Sequence, residues 1–318
     1  MTKKFYTLVV IFLLLQNIIR AQQDPQFTQF FFNKPMLNPA SVGIHGNFCA
    51  TAFHRQQWLG FKDAPRTTQF TFDASLKNFI NMDLGAGLTV FNESIGFFMN
   101  TGVRLAGAYR IPIGSVGRLS LGLDLGILNQ SLNPNWIYAD PQDPNIPPKA
   151  SSTAFDAGIG VMFQAANWYA GGSVTHIPGM KLRDLNQKMA RHMWLIGGYT
   201  FRGVGGNPNW DVSPNLAVKS DLKVVSFDVN CNVIFKQRYW GGLNYRFQDA
   251  VALNLGATFL QKPKWTLGAG YSYDLTTSRI IRFSTGTHEV MLRYCFIIEA
   301  EPRMGGGFRV RDLDMLRD

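Results

Sequence analysis

The sequence predicts a transmembrane antiparallel β-barrel of about fourteen strands, of the outer-membrane type, on three observations. Segment after segment alternates apolar and polar residues with a period of two, as side chains facing lipid and lumen in turn must do. The connections between these segments alternate long and short. Beyond the amino-terminal leader, no apolar run reaches the ~20 residues that a membrane helix requires, although 46% of the 318 residues are hydrophobic and the mean hydropathy is −0.04. Any lipid contact must therefore come from strands.

The leader comes first. Residues 1–21 open with Lys3 and Lys4, continue through an apolar stretch from Phe5 to Ile19 and end at Ala21 before the polar Gln22 and Gln23. This is the pattern of a secretory signal that is removed. The rival reading, a retained anchor helix, needs a longer apolar run than this one. The formal charge is +10, of which the leader supplies three (Lys3, Lys4, Arg20), leaving +7 on the mature chain. An exported chain meets no nucleic acid, so the excess is read as attraction to acidic lipid headgroups, lipopolysaccharide or an acidic partner. Cys49, Cys231 and Cys295 all fall inside predicted strands. Their odd number and the lack of CxxC spacing predict three small buried hydrophobes rather than a disulfide framework or zinc site.

The strand pattern is clearest in the second half of the chain. Val225, Phe227, Val229, Cys231, Val233 and Phe235 form one face, against Ser226, Asp228, Asn230 and Asn232 on the other. Tyr239, Gly241, Leu243, Tyr245 and Phe247 repeat the pattern, as do Val251 to Phe259 and Trp265 to Tyr273. The last strand sets Val290, Leu292, Tyr294, Phe296 and Ile298 against Arg293 and Glu299. Weaker versions cover 46–54, 66–75, 82–92, 100–111, 117–129, 153–164, 167–176, 191–202 and 211–219. An even strand number predicts that both termini return to the periplasm. Trp168, Tyr169, Tyr239, Trp240, Trp265, Tyr271 and Tyr273 lie at strand ends, where interfacial aromatic girdles belong.

Loop lengths separate a barrel from a soluble sandwich, which also alternates. With the first strand running outward, the connections at 112–116, 165–166, 236–238 and 261–264 are tight and periplasmic. Those at 55–65, 130–152, 177–190 and 275–287 are external and longer; two external turns, at 220–223 and 248–249, are short. The asymmetry favours the membrane barrel.

Five stretches together resemble the PorP/SprF family of outer-membrane proteins of Bacteroidota. They are QDPQFTQFFFNKPMLNPASVG (23–43), HRQQWLGFKDAPRTTQF (54–70), TVFNESIGFFMNTG (89–102), AYRIPIG (108–114) and YSYDLTTSRIIRFSTGTHEVMLRY (271–294). The resemblance implies a barrel of the type IX secretion system, which exports proteins and, in gliding species, supports adhesin delivery. It implies two kinds of partner: periplasmic ring or peptidoglycan-linked secretion components, and an exported adhesin with a C-terminal sorting domain. The ending EPRMGGGFRVRDLDMLRD (301–318) departs from the usual form of the family.

The residues offer no catalytic constellation. HExxH, GxSxG, GxGxxG and P-loop patterns are missing, and the SxxK at Ser220–Lys223 falls in a predicted hairpin turn without its companion motifs. No enzymatic activity, metal or cofactor is expected. His45, His54, His176, His192 and His288 lack ligand spacing and are read as interfacial polar residues. Arg104, Arg110, Asp124, Asp228, Arg246, Asp274 and Arg293 are candidates for the lumen lining, either as a selectivity lining or as pairs that merely keep the lumen polar. The inward glycines Gly102, Gly122, Gly158, Gly160, Gly242, Gly268 and Gly270 leave room in a barrel that lies between filled and open sizes. That space is expected to hold the chain's own loops or the 22–43 segment.

Four regions follow: the leader (1–21), an amino-terminal periplasmic or plug segment (22–43), the barrel (44–300) and a periplasmic tail (301–318). Phe27, Phe30, Phe31 and Phe32, with Pro35 and Pro39, are too aromatic for a solvated linker and pack either in the barrel mouth or on a partner. Arg55, Gln56, Gln57, Trp58 and Phe61 are candidate contacts in an external loop, either exposed for recognition or folded into the lumen. Five prolines stiffen the loop from Asn133 to Lys149. In the tail, Arg303, Arg309, Arg311 and Arg317 follow a Gly305–Gly307 hinge and either dock on a periplasmic component or stay disordered.

Overall fold

The computed structural model describes residues 25–80, 82–134, 148–179, 181–182 and 187–298. Fourteen strands close on themselves: β1 (Phe48–Leu59), β2 (Arg66–Ser75), β3 (Leu84–Ile95), β4 (Phe98–Ile113), β5 (Gly117–Leu132), β6 (Ala150–Ala165), β7 (Trp168–Thr175), β10 (His192–Tyr199), β11 (Trp210–Ser220), β12 (Val225–Phe235), β13 (Tyr239–Arg246), β14 (Ala250–Lys262), β15 (Trp265–Thr276) and β16 (Gly286–Phe296). Between β7 and β10 a two-stranded ribbon, β8 (Lys181–Leu182) with β9 (Gln187–Lys188), stands apart from the barrel sheet. Every barrel strand pairs antiparallel with its neighbours, and β1 pairs with both β2 and β16. Closure leaves the sheet no edge, the condition under which strands can cross lipid.

The alternation read from sequence is the alternation found. Along β12, Val225, Phe227, Val229, Cys231 and Val233 face out while Asp228, Asn230 and Asn232 are buried within. Leu121, Leu123, Leu125 and Ile127 form the outward row of β5, and Leu253 and Leu255 that of β14. No described helix is long and apolar enough to cross a membrane.

The rims depart from the sequence reading in several places. The strand β1 runs on to Leu59, through a register shift between Gln56 and Leu59, so its turn spans only 60–65. On the same rim, β3 and β4 are joined by Gly96 and Phe97 alone, where Gly96 takes a positive φ of 58° that a side chain would resist. On the opposite rim, the connection at 200–209 is long and carries a 3₁₀ turn at Val204–Gly206. The turn containing Ser220–Lys223 is a hairpin: the Asp221 carboxylate accepts the N–H groups of Lys223 (2.9 Å) and Val224 (2.7 Å). Glu299 and the tail, with Arg303, Arg309 and Arg311, lie outside the described residues, as do the leader and most of the proline-rich loop.

The cysteine expectation is overturned. Cys49 and Cys295 face each other in the β1–β16 register and form a disulfide, closing the seam between the first and last strands. Their inward parity was readable, but a pairing across a separation of 246 residues was not. Cys231 keeps its thiol and faces outward rather than being buried. Two of the seven girdle aromatics are corrected as well. Tyr169 and Trp240 point into the lumen, since each follows an outward aromatic (Trp168, Tyr239) by one residue and the pleat alternates.

Candidate functional site: the occupied lumen

The lumen of this barrel is filled by its own amino-terminal segment. Three short turns follow one another there: a 3₁₀ turn at Phe30–Phe32, helix α1 at Lys34–Leu37 with Pro35 in its first turn, and a 3₁₀ turn at Pro39–Ser41. Asn38 caps the last of these, its side-chain oxygen accepting the Ala40 N–H at 2.9 Å. Proline is tolerated at these positions because a first-turn N–H has no helical partner to lose.

Ion pairs fix the beginning of the segment. The Glu289 carboxylate accepts the backbone N–H of Thr28 (2.8 Å) and of Gln29 (2.9 Å). Arg55 spans the acids, with Nη1 at 2.9 Å from Glu289 and Nη2 at 2.8 Å from Asp274, while the Thr28 hydroxyl donates to Asp274 and accepts from Arg55 Nη1. The network continues to Arg246, which pairs with Asp228 at 2.8 Å and lies 3.6 Å from Asp274. Arg55 is 2% exposed and Glu289 is fully buried. Such charges are tolerated only because each is paired and hydrogen-bonded.

Farther along, the wall holds the segment mainly through neutral hydrogen bonds. Asn33 and Gln69 exchange amide hydrogen bonds at 3.0 and 2.6 Å. Asn38 donates to the carbonyls of Val161 (3.0 Å) and Gly172 (3.2 Å), and the hydroxyls of Ser173 and Ser120 donate to the carbonyls of Leu37 and Ala40 (2.5 Å each). Arg104 donates to the Met36 carbonyl at 3.4 Å and also contacts its sulfur. Arg110 donates to the Val42 carbonyl at 2.7 Å while pairing with Asp83. At the end of the segment, Gly43, at φ 67°, donates its N–H to Asp73 at 2.9 Å.

Apolar contacts complete the fit. Phe30, Met36 and Leu37 pack in one cluster with Phe91, Leu128, Trp194 and Ile196 of the wall. Phe27, Phe53 and Met291 form another, with Phe27 and Phe53 ring centroids 5.2 Å apart and Phe32 against Trp240 at 5.0 Å. Burying each such side chain contributes roughly 1.5–3 kcal/mol. Three of the inward glycines, Gly122, Gly160 and Gly270, are where the segment comes closest: a methyl group there would collide with Ala40, Asn38 and Gln29 respectively. Gly102 and Gly158 accommodate wall side chains instead, the Phe91 ring and the Asp124 carboxylate. Residual space in the lumen is lined by Phe32, Lys34, His45, Asp73 and Arg293.

The structure thus brings Phe27, Phe30, Phe31 and Phe32 into the lumen together with Arg55, Arg104, Arg110, Asp228, Arg246, Asp274 and Arg293. Asp124 is also buried there. Arg293 lies over the Phe32 ring at 5.7 Å and donates to the disulfide sulfurs. Of the two readings given for Arg55, the lumen is the one found, but it is reached from strand β1 rather than from a loop, and its inward parity with Cys49, Thr51 and Phe53 is the sequence signal for it. Glu289, Thr28 and Asn38 are not among the sequence candidates, although Glu289 shares the inward parity of Arg293 in the last strand. Of the other loop candidates, Gln56 and Gln57 are half-buried at the end of β1, Trp58 sits at positive φ in the register shift, and Phe61 is exposed in the turn. The histidines separate: His54 is exposed, but His176 and His192 are buried inside, His176 at 2.9 Å from Asp156, which corrects the interfacial reading for both. Among the described residues, no group of three or more His, Cys, Asp or Glu converges to hold a metal ion.

Fold and lumen define a class: a closed outer-membrane β-barrel that carries its amino-terminal segment inside. Solved barrels share the architecture at low identity. The toluene transporter TbuX of Ralstonia pickettii superposes with a TM-score of 0.51 at 11% identity, over 83% of this chain and 92% of that one. The monoaromatic hydrocarbon channel CymD gives 0.51 at 10% identity, over 89% and 95%. A deletion mutant of the monoaromatic hydrocarbon channel TodX gives 0.50 at 10% identity, over 82% and 93%. No curated protein matches the sequence. The family model described as type IX secretion system membrane protein PorP/SprF matches residues 19–294, and the chain belongs to that family. It is a secretion-associated barrel of the outer membrane.

Proposed function

We propose that the protein works as a closed, non-catalytic barrel that supports protein export by the type IX system and the surface attachment of exported adhesins, rather than as an open pore. One observation carries this reading: residues 25–44 occupy the lumen and are bonded to its wall from Thr28 to Gly43. In this reading the rim with the turns at 114–116, 166–167, 236–238 and 263–264 faces the periplasm, because barrels place short turns there. β16 ends at Phe296 on that rim, and in this reading the sequence beyond it serves a periplasmic ring or peptidoglycan-linked component. The two longest connections, from β5 to β6 and from β7 to β10, face outward, towards lipopolysaccharide and an adhesin with its sorting domain, while 200–209 lies on the periplasmic rim.

Planar-bilayer recording of the purified protein, alongside secretion of sorting-domain cargo by a deletion strain, tests the proposal. The expected result is no steady conductance and loss of surface cargo. Large, stable single-channel currents would overturn occlusion. Deleting 302–318 should lower recovery of the secretion machinery in a pull-down, and unchanged recovery would remove the tail as the docking element. The alternative, a solute channel, takes its support from the names of the hydrocarbon channels and the toluene transporter that share the fold. It requires the segment to leave the lumen, and it predicts a nutrient-uptake defect with normal cargo display.

A further inference from the structure

The two ends of the amino-terminal segment lie at opposite rims of the barrel. Gln26 donates its side-chain amide to Ser226 at 3.4 Å, next to Val225, the first residue of β12 after the hairpin turn at 221–224. Thr28 reaches Asp274 and Glu289, near the end of β15 at Thr276 and the start of β16 at Gly286. All three strand ends belong to the rim that carries the turns at 60–65 and 221–224. From there the contacts move steadily to the other rim. They pass from Asn38 against Val161, to Ala40 against Ser120, to Val42 against Arg110, to Gly43 against Asp73. The chain then enters β1 at Phe48, opposite Ala74 and Phe296, where β2 and β16 end. Residues 25–47 therefore run the length of the lumen once, in one direction, with no returning leg.

We infer that the chain crosses the outer membrane one additional time through its own barrel, so that it enters the lumen at Pro25 from the cell-surface rim while the ends of β1 and β16 at Phe48 and Phe296 face the periplasm. This rests on the orientation of the rims proposed above. It replaces the expectation, drawn from an even strand number, that both termini share the periplasm. The Glu289 carboxylate, bonded to two consecutive backbone N–H groups and to Arg55, anchors the surface end of the thread. The Cys49–Cys295 disulfide closes the wall around it.

Cysteine accessibility in whole cells tests the inference. On a Cys231→Ala background, Gln23→Cys, Lys62→Cys and Val116→Cys report the amino end, the far-rim turn and the near-rim turn, and each is reacted with a membrane-impermeant maleimide before and after permeabilisation. Gln23→Cys and Lys62→Cys should label on intact cells at least tenfold more than Val116→Cys, which should label only after permeabilisation. If Gln23→Cys behaves like Val116→Cys, the threading is wrong. If Gln23→Cys and Lys62→Cys are both shielded and Val116→Cys labels on intact cells, entry from the cell-surface rim is overturned and the fault lies in the assignment of the rims.

Discussion

Replacing Glu289 with Gln removes one charge and no volume, and it tests whether the anchor at the head of the segment holds it in place. The carboxylate now receives three donors: Thr28 N–H at 2.8 Å, Gln29 N–H at 2.9 Å and Arg55 Nη1 at 2.9 Å. An amide offers one acceptor oxygen and turns two hydrogens towards the other donors, so at least one of the three contacts becomes donor against donor. Hydrogen bonds to a charged group contribute about 1.5–3 kcal/mol each, and breaking a buried ion pair from one side costs about 3–5 kcal/mol. Arg55 keeps Asp274 at 2.8 Å, which places the loss near the lower bound, about 3 kcal/mol. At 1.36 kcal/mol per decade, that becomes an increase of about a hundredfold in opening of the segment. Hydrogen–deuterium exchange on nanodisc-held protein, read on peptides covering 26–33, measures it directly, with β5 and β14 peptides as unaffected references. If the 26–33 amides exchange as slowly in Glu289→Gln as in the wild type, the anchor is not what retains the segment.

Further perturbations act elsewhere on the same lumen. Gly122→Leu places a side chain where Ala40 now sits, so the segment should be displaced and become open to protease, with steady conductance appearing in bilayers. Barrel formation should survive, since the residue faces the lumen and not a strand partner. Cys49→Ser removes a bond that closes a loop with a sequence separation of 246 residues, worth about 5 kcal/mol in the chain-entropy model. The folded band on a semi-native gel should unfold at lower temperature, as should wild type in reductant; equal melting with and without reductant would contradict this. Phe53→Ala should cost about 3–5 kcal/mol because its ring packs on Phe27 and Met291. The outward Val229→Ala should cost less by the same thermal assay.

What the sequence made legible follows from what a membrane barrel demands locally. The faces of β12, β13 and β14 could be assigned residue by residue because lipid on one side and polar groups on the other leave no freedom of register. Strand ends were less legible. β1 continues through Arg55 to Leu59 because the inward positions stay in protein rather than in lipid, so a charged residue there ends nothing. Long-range pairings were not legible at all. Cys49 meets Cys295, and Thr28 meets Glu289, only because the barrel closes, and no local spacing encodes closure. The aromatic segment with its prolines was readable as packed rather than solvated, but the choice of partner needed the lumen wall itself.

One signal for that choice was present and bears on function. A lumen filled with water would be lined by polar side chains, yet the inward positions include Phe53, Phe91, Leu128, Met162, Trp194, Ile196 and Met291, each under one tenth exposed. Facing water, each would forfeit roughly 1.5–3 kcal/mol of burial; facing the segment, all of them but Met162 cluster with Phe27, Phe30, Met36 and Leu37. The apolar inward residues and the inward glycines Gly122, Gly160 and Gly270 therefore describe a single shape, the cast of a chain that belongs inside. A transient gate would need a wall that is tolerable when vacated, and this one exposes large apolar surface as soon as the segment leaves. The energetic asymmetry favours a lumen that stays occupied by residues 25–44.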